Sequence, residues 1–163
     1  MTLLVLTTGG TIDKIYFDAL SQYEVGEPTV PHVFREAGVI LTWRLEPILR
    51  KDSLELTEAD RATIRQRCEQ APESQILITH GTDTLCQTAA ALAGIPGKTI
   101  VLTGALAPAN FRVTDAVFNL GLALGAVQAL PPGVFIAMNG NIFPAAEVWK
   151  NRELGRFESR PPG

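Results

Sequence analysis

Histidine and cysteine are scarce in this 163-residue chain, which contains two of each. No G-x-S-x-G motif is present, and neither residue type has the spacing of metal ligands. These absences argue against a histidine-driven serine or cysteine hydrolase and against a zinc site. Cys68 and Cys86 fall in helical patterns and predict two reduced, packed thiols in a cytoplasmic protein, although the sequence alone leaves a disulfide open.

A surplus of charge of one sign is also lacking. The chain has 14 basic and 17 acidic residues, a net charge of -3, and no basic run. The longest apolar stretch, residues 116–130, is shorter than the ~20 residues of a membrane span, and Asn119 and Gln128 interrupt it. The N-terminus, MTLLVLTTGG, has no basic segment of the kind that begins a signal peptide. We therefore expect no nucleic-acid partner and no membrane partner.

Apolar segments of strand length alternate with segments of helix length. This alternation predicts one α/β domain, a three-layer sandwich whose mostly parallel sheet is of Rossmann- or flavodoxin-like type. The predicted strands cover residues 2–8, 39–45, 74–80, 98–104 and 134–140, and the predicted helices cover residues 30–37, 57–70, 82–94 and 116–130. Residues 141–151 are predicted to form a strand or a hairpin.

Two segments are predicted without regular structure. Residues 9–28 form a long, glycine-containing loop, which in a compact domain is usually functional or mobile. We expect this loop to be mobile when the site is empty. Residues 152–163 are polar and proline-rich, so they are expected to be poorly ordered. The predicted domain covers residues 1–155, and a polar tail covers residues 156–163.

In sheets of this kind the chemistry lies beyond the carboxyl ends of the strands. The segments that fall there are the loop after the first strand, THGTDT, TGALAP and MNGN. A hydroxyl is a poor nucleophile until a base takes its proton, and without a spare histidine a lysine or a tyrosine must do so. The candidate reactive groups belong to Thr11, Tyr16, Thr82, Asp83 and Lys150.

The same residues have simpler interpretations. Thr82 and Asp83 could merely cap the following helix, and the glycine pair of TTGGT could form an ordinary tight turn. Lys150 could be a solvated surface lysine, and His80 is interpreted as a hydrogen-bonded strand-end residue. TGGTI does not match G-x-G-x-x-G, and no Walker-type loop occurs, so nucleotide binding is weakly supported. The residues alone predict an α/β domain with a hydroxyl-rich pocket.

TGGTID and THGTDT, each at a predicted strand end, together resemble the bacterial-type asparaginase–glutaminase family. KDSLELT is similar to the family's D-S-x-x-M-T, VLTGALAP to its V-x-x-G-A-M-R-P, and TDAVFNL to its A-D-G-x-F-N-L. AMNG followed by EVWKN resembles the strand and the lysine that complete the family's site. The resemblance extends over nearly the whole chain, to RFES, which resembles the onset of the family's interdomain linker.

This resemblance implies an amidohydrolase that converts L-asparagine, and in some members glutamine, to the acid and ammonia. It implies an acyl-enzyme intermediate and no metal or cofactor. Tyr23 is the alternative to Tyr16 for the lid tyrosine. The catalytic residues that it implies are Thr11 as nucleophile, Tyr16 on the lid, and Thr82, Asp83 and Lys150. The substrate-binding residues that it implies are Gly10, Asp52, Ser53 and Gly81.

The sequence departs from the family pattern. Members usually carry a second, C-terminal domain, and this sequence stops where the linker would begin, so a one-domain form is expected. Leu54 and Ala107 stand where relatives carry a polar residue and an arginine, which bears on substrate choice. We expect L-asparagine hydrolysis by a cytoplasmic homodimer or homotetramer. The alternatives are a related amidase acting on glutamine or another amide, and a binding module without catalysis.

Overall fold

The computed structural model describes residues 1–160. The strands of this part of the chain are β1 (Leu3–Gly9), β2 (Lys14–Phe17), β3 (Gln22–Val25), β4 (Trp43–Lys51), β5 (Gln75–Thr79), β6 (Thr99–Thr103), β7 (Gly133–Met138), β8 (Asn141–Pro144), β9 (Val148–Asn151) and β10 (Arg156–Ser159). Its α-helices are α1 (Val30–Glu36), α2 (Glu58–Gln70), α3 (Leu85–Ala91) and α4 (Ala116–Ala129).

The central sheet has the strand order β4-β1-β5-β6-β7-β8. Its first five strands are parallel to their neighbours, and only β8 runs antiparallel, against β7. Apolar side chains cover both faces: Leu6 of β1 and Ile64 of α2 belong to the core cluster on one face, and Val5 of β1 and Leu120 of α4 belong to the cluster on the other. The predicted α/β class and the mostly parallel sheet are thus confirmed.

Among the described helices, α2 begins at a side-chain cap. Thr57 accepts a hydrogen bond from the Asp60 backbone nitrogen at 3.2 Å, and the Asp60 carboxylate accepts one from the Thr57 nitrogen at 2.9 Å. This reciprocal pair is a capping box at the start of α2. In the described residues, no helix combines the length and the apolar character needed to cross a membrane.

The strand predicted over residues 39–45 is wrong in its limits, because β4 covers Trp43–Lys51. Its start is set by its partner: Leu3, the first residue of β1, pairs with Trp43, so earlier residues have no strand to join. Its end is also set by β1, since Gly9 pairs with Lys51. The displacement matters for function because it carries β4 up to the Asp52–Ser53 segment.

Residues 9–28 were predicted as a loop, but they contain the hairpin of β2 and β3, in which Tyr16 pairs with Tyr23. The base of the hairpin is fixed by backbone and side chain together. The Gly26 nitrogen donates to the Asp13 carbonyl at 2.8 Å, and the buried Asp13 carboxylate accepts from the Thr29 nitrogen at 2.9 Å. Burial raises the pKa of Asp13.

The expected poor order after residue 151 is wrong for Arg156–Ser159, which form β10 and pair antiparallel with β9. Phe157 is the reason, since its side chain is buried in the core cluster on the α2 and α3 face. Residues 161–163 of the predicted tail lie outside the described part of the chain. The division into a domain of residues 1–155 and a tail stays a prediction.

Candidate active site

The TGGTID and THGTDT turns touch through their glycines. A Cβ on Gly10 would lie 2.4 Å from the Gly81 nitrogen, and the φ of Gly10 is +88°. Both observations require glycine at this position. A side chain would collide with the backbone of Gly81, and a positive φ is unfavourable for residues that have a Cβ. Thr11 follows Gly10 in a 3-10 turn over Thr11–Asp13, and Thr82 follows Gly81. The contact therefore brings two hydroxyl residues from neighbouring strand ends to one place.

Lys150 joins the second turn through its ammonium. Its Nζ donates a hydrogen bond to Thr82 Oγ1 at 2.9 Å and lies 2.7 Å from Asp83 Oδ1. The Lys150 side chain is 14% exposed, whereas Asp83 is 38% exposed. Lys150 is positioned by the hairpin of β9 and β10, in which it pairs with the buried Phe157. Because Thr82 Oγ1 accepts from lysine, its own hydroxyl hydrogen is available to a substrate or a water molecule.

Ser53 lies against the same turn from the end of β4. A Cβ on Gly81 would come within 2.6 Å of the Ser53 Oγ, so the second glycine of the site is needed for this close approach. Ser53 is buried, and its carbonyl accepts a hydrogen bond from Thr84 Oγ1 at 2.7 Å. These contacts place Gly10, Gly81 and Ser53 in one continuous group beside Thr82.

Asp52 caps the 3-10 turn over Ser53–Glu55 by accepting from the Leu54 nitrogen at 3.1 Å. Its other carboxylate oxygen lies 2.7 Å from Nζ of Lys14, the first residue of β2. The hydrogen bond that Lys14 donates lowers the pKa of Asp52, and the backbone bond from Leu54 adds to this effect. The ion pair thus connects the hairpin of β2 and β3 with the segment that contains Ser53.

The two tyrosines differ in their positions relative to Thr11. A cavity of about 260 Å³ is lined by Thr11, Lys14, Tyr23, Pro108 and Phe111, and Tyr16 is not among these residues. The Tyr23 ring packs on Phe111 with centroids 5.9 Å apart and on Tyr16 with centroids 5.4 Å apart. Tyr23, and not Tyr16, therefore shares a cavity wall with Thr11.

Asp115 has a role that the sequence did not reveal. Its carboxylate accepts hydrogen bonds from the backbone nitrogens of Leu106 and Ala107 at 2.9–3.0 Å and from Asn119 Nδ2 at 3.0 Å. These hydrogen bonds fix the conformation of the loop after β6. The Ala109 nitrogen of the same loop donates a hydrogen bond to the Ile12 carbonyl at 3.0 Å. Two signals were available, the position of the aspartate just before an apolar helix and its place in the family-like TDAVFNL segment, and neither indicates these hydrogen bonds.

His80 is a structural residue of the THGTDT turn. Its ring lies 2.7 Å from the Gly81 carbonyl through Nδ1 and 2.8 Å from Thr88 Oγ1 through Nε2. A carbonyl only accepts, so Nδ1 carries the hydrogen and Nε2 accepts from Thr88. Burial lowers the pKa of His80 to about 4, so the ring is neutral near pH 7. The interpretation of His80 as a hydrogen-bonded strand-end residue is confirmed.

The chain matches one family model, described as "Asparaginase, N-terminal", over residues 2–160. It is 35% identical to the L-asparaginase of Thermococcus kodakarensis over 165 residues, which is 95% of this chain and 49% of that protein. It is 27% identical to the glutaminase-asparaginase of Pseudomonas fluorescens biotype A, covering 90% of this chain and 44% of that protein. The chain thus spans about half the length of these relatives.

Solved structures agree with the sequence relatives. The solved structure of the thermostable L-asparaginase from Thermococcus kodakarensis superposes with a TM-score of 0.86 at 32% identity, covering 98% of this chain and 51% of that one. The probable cytoplasmic L-asparaginase of Campylobacter jejuni gives a TM-score of 0.78 at 24% identity, covering 97% of this chain and 51% of that one. At 24% identity, the similarity to the Campylobacter jejuni structure shows a common fold and no more.

Proposed function

Because the chain belongs to the family of asparaginase N-terminal domains, we propose that it hydrolyses the side-chain amide of L-asparagine to L-aspartate and ammonia. The observation that carries the proposal is the Lys150–Thr82–Asp83 group, directly beside the turn that contains Thr11. A simple helix cap at Thr82 and Asp83 does not require a lysine that is largely buried and bonded to both residues. A solvated surface lysine would not lie in this position either.

In the proposed reaction Thr11 Oγ1 attacks the amide carbon while its proton is removed. The tetrahedral intermediate collapses, the nitrogen leaves as ammonia after taking up a proton, and an ester to Thr11 remains. Water then attacks the ester carbon, which releases aspartate and returns the proton to Thr11. Tyr23 is assigned the first proton transfer because it lines the cavity with Thr11. Tyr16, its cross-strand neighbour, is assigned to the lid.

Thr82 is proposed to act on the water or on the leaving nitrogen. Lys150 occupies one acceptor position of the Thr82 oxygen, so the hydroxyl hydrogen is directed away from lysine. Asp83 holds the lysine on its other side and is the candidate for the substrate ammonium. Gly10 and Gly81 allow backbone to approach the substrate, and Ser53 and Asp52 are assigned to the end that carries the α-carboxylate.

A second candidate is hydrolysis of glutamine, since the Pseudomonas fluorescens relative is named a glutaminase-asparaginase. One additional methylene alone changes transition-state binding by only ~1–3 kcal/mol, so discrimination depends on the position of the reacting carbon. The volume of the cavity beside Thr11, about 260 Å³, does not separate the two amides, so the comparison of the two substrates decides between them. We further propose that the protein is cytoplasmic, in keeping with the two unpaired thiols of Cys68 and Cys86. We also propose that it forms a homodimer or a homotetramer.

Ammonia release by the purified chain tests this function. L-asparagine and L-glutamine are offered separately to the wild type, to T11A and to K150M. We expect release from asparagine in the wild type, and a loss of at least about a hundredfold in each variant, because each removes a group of one reaction. Retention of near-normal turnover in K150M would remove the lysine from the mechanism. Binding of asparagine without release of ammonia would favour the binding module instead.

A further inference from the structure

Lys14 places a positive charge in the wall of the cavity that contains Thr11. Of the five residues that line this cavity, Lys14 is the charged one; the others are Thr11, Tyr23, Pro108 and Phe111. The Lys14 side chain is 26% exposed, so its ammonium is partly withdrawn from water and still accessible. A charge in such a position acts more strongly on a ligand than a charge on the open surface.

The ammonium of Lys14 has unused hydrogen-bonding capacity. Within residues 1–160 it donates one hydrogen bond, to Asp52 Oδ2 at 2.7 Å, and an ammonium carries three N–H donors. Asp52 directly precedes the buried Ser53, and the 3-10 turn that it caps continues through Ser53. Lys14 is therefore fixed at the junction between the hairpin of β2 and β3, the Thr11 cavity and the Ser53 turn.

We propose that Lys14 is a specificity-determining residue that binds the α-carboxylate of the substrate and so selects amides that carry a free carboxylate. The inference rests on the proposed function, whose substrate is a zwitterion. Asp83 offers one charge to its ammonium, and Lys14 offers the opposite charge to its carboxylate. Asp52 acts as a positioning residue, since its carboxylate holds the Lys14 ammonium through one hydrogen bond and leaves two N–H donors for the ligand.

The test compares two substrates that differ only at the α-carboxylate: L-asparagine, and L-asparagine α-amide, in which that group is neutral. Product formation is followed by chromatography, because ammonia release could come from either amide of the second compound. In K14M we expect kcat/KM for L-asparagine to fall at least tenfold, mainly through KM, with kcat/KM for the α-amide within about twofold of the wild type. K14R should retain most of the wild-type preference.

Lys51 provides a matched control. It forms the same kind of ion pair, with Asp60 at 2.9 Å, and it does not line the Thr11 cavity. K51M should leave the preference between the two substrates unchanged. D52N tests the positioning: Lys14 keeps its charge but loses the carboxylate that holds its ammonium. The preference for the free carboxylate should therefore fall, by less than in K14M. Equal losses for both substrates in K14M would overturn the inference, because Lys14 would then serve only the ion pair.

Failure of the proposed function has a different signature. If the wild type converts neither compound, calorimetry with L-asparagine replaces kinetics. Binding that is weakened at least tenfold in K14M, and unchanged in K51M, would support the carboxylate site without catalysis. Binding of equal strength in the wild type and K14M, or no binding at all, would overturn it.

Discussion

At the scale of single residues, the site depends on hydroxyls whose partners are fixed by hydrogen bonds. Lys150 bridges Thr82 and Asp83, and the Gly10–Gly81 contact places Thr11 nearby. The sequence predicted this group because each member lies in a motif at the end of a strand or beside one. It could not separate Tyr16 from Tyr23, because the two residues face each other across the hairpin, and only the tertiary structure decides which one borders the cavity.

The two tyrosines give a prediction at this scale. Y23F should lower kcat at least tenfold with little change in KM, because it removes the hydroxyl of the tyrosine that lines the cavity with Thr11 and keeps the ring packed on Phe111. Y16F is the matched control and should change kcat less than threefold. Steady-state kinetics with L-asparagine checks both variants. The reverse order of effects would return the catalytic role to Tyr16.

At the scale of elements, pairing with neighbouring segments determines strand limits that the local sequence does not specify. The limits of β4 follow from pairing with β1, and the hairpin of β2 and β3 is closed by Asp13 and Thr29. The sequence predicted strands that are buried on both faces, such as β5 and β6. It missed the hairpin because its residues are mostly exposed and carry no buried pattern.

Asp115 gives the prediction for the elements. In D115N the amide oxygen can keep the Oδ1 position, which accepts from the Leu106 and Ala107 nitrogens, but the amide nitrogen would then face the Asn119 amide nitrogen, so the bond between these two side chains would be lost. We expect a loss of about 1–3 kcal/mol in the free energy of unfolding, measured in urea. A lower kcat should accompany it, since this loop also holds the Ile12 carbonyl. E153Q, on an exposed turn, serves as the control, and a D115N as stable as the wild type would contradict the assigned role.

At the scale of the whole molecule, two features bear on assembly. Large apolar side chains are exposed on α4 and on the segment before it: Phe118 is 65% exposed and Val113 is 84% exposed. A surface with several such residues usually serves an interface. The fold class could be predicted because strands and helices alternate along the whole chain. An interface produces no such repeating pattern in the sequence, so its position could not be predicted.

The assembly prediction follows from these residues. Light scattering coupled to size exclusion should give the mass of a dimer or tetramer for the wild type. F118K should reduce that mass, because a charge cannot be buried at an apolar contact without cost. I40K, at a side chain that is 99% exposed on another segment, should not change it. A wild type that is monomeric at every concentration measured would contradict the proposed homo-oligomer.

The central claim is that Thr11 forms an ester with the substrate in a site completed by Thr82, Asp83 and Lys150. The most direct measurement is acid quenching of a single turnover with L-asparagine, followed by mass analysis of the proteolytic peptides. We predict an added aspartyl group on the peptide that contains Thr11, and no such group in T11A. An ester on the peptide of Thr82, or aspartate formed without any ester, would contradict the account.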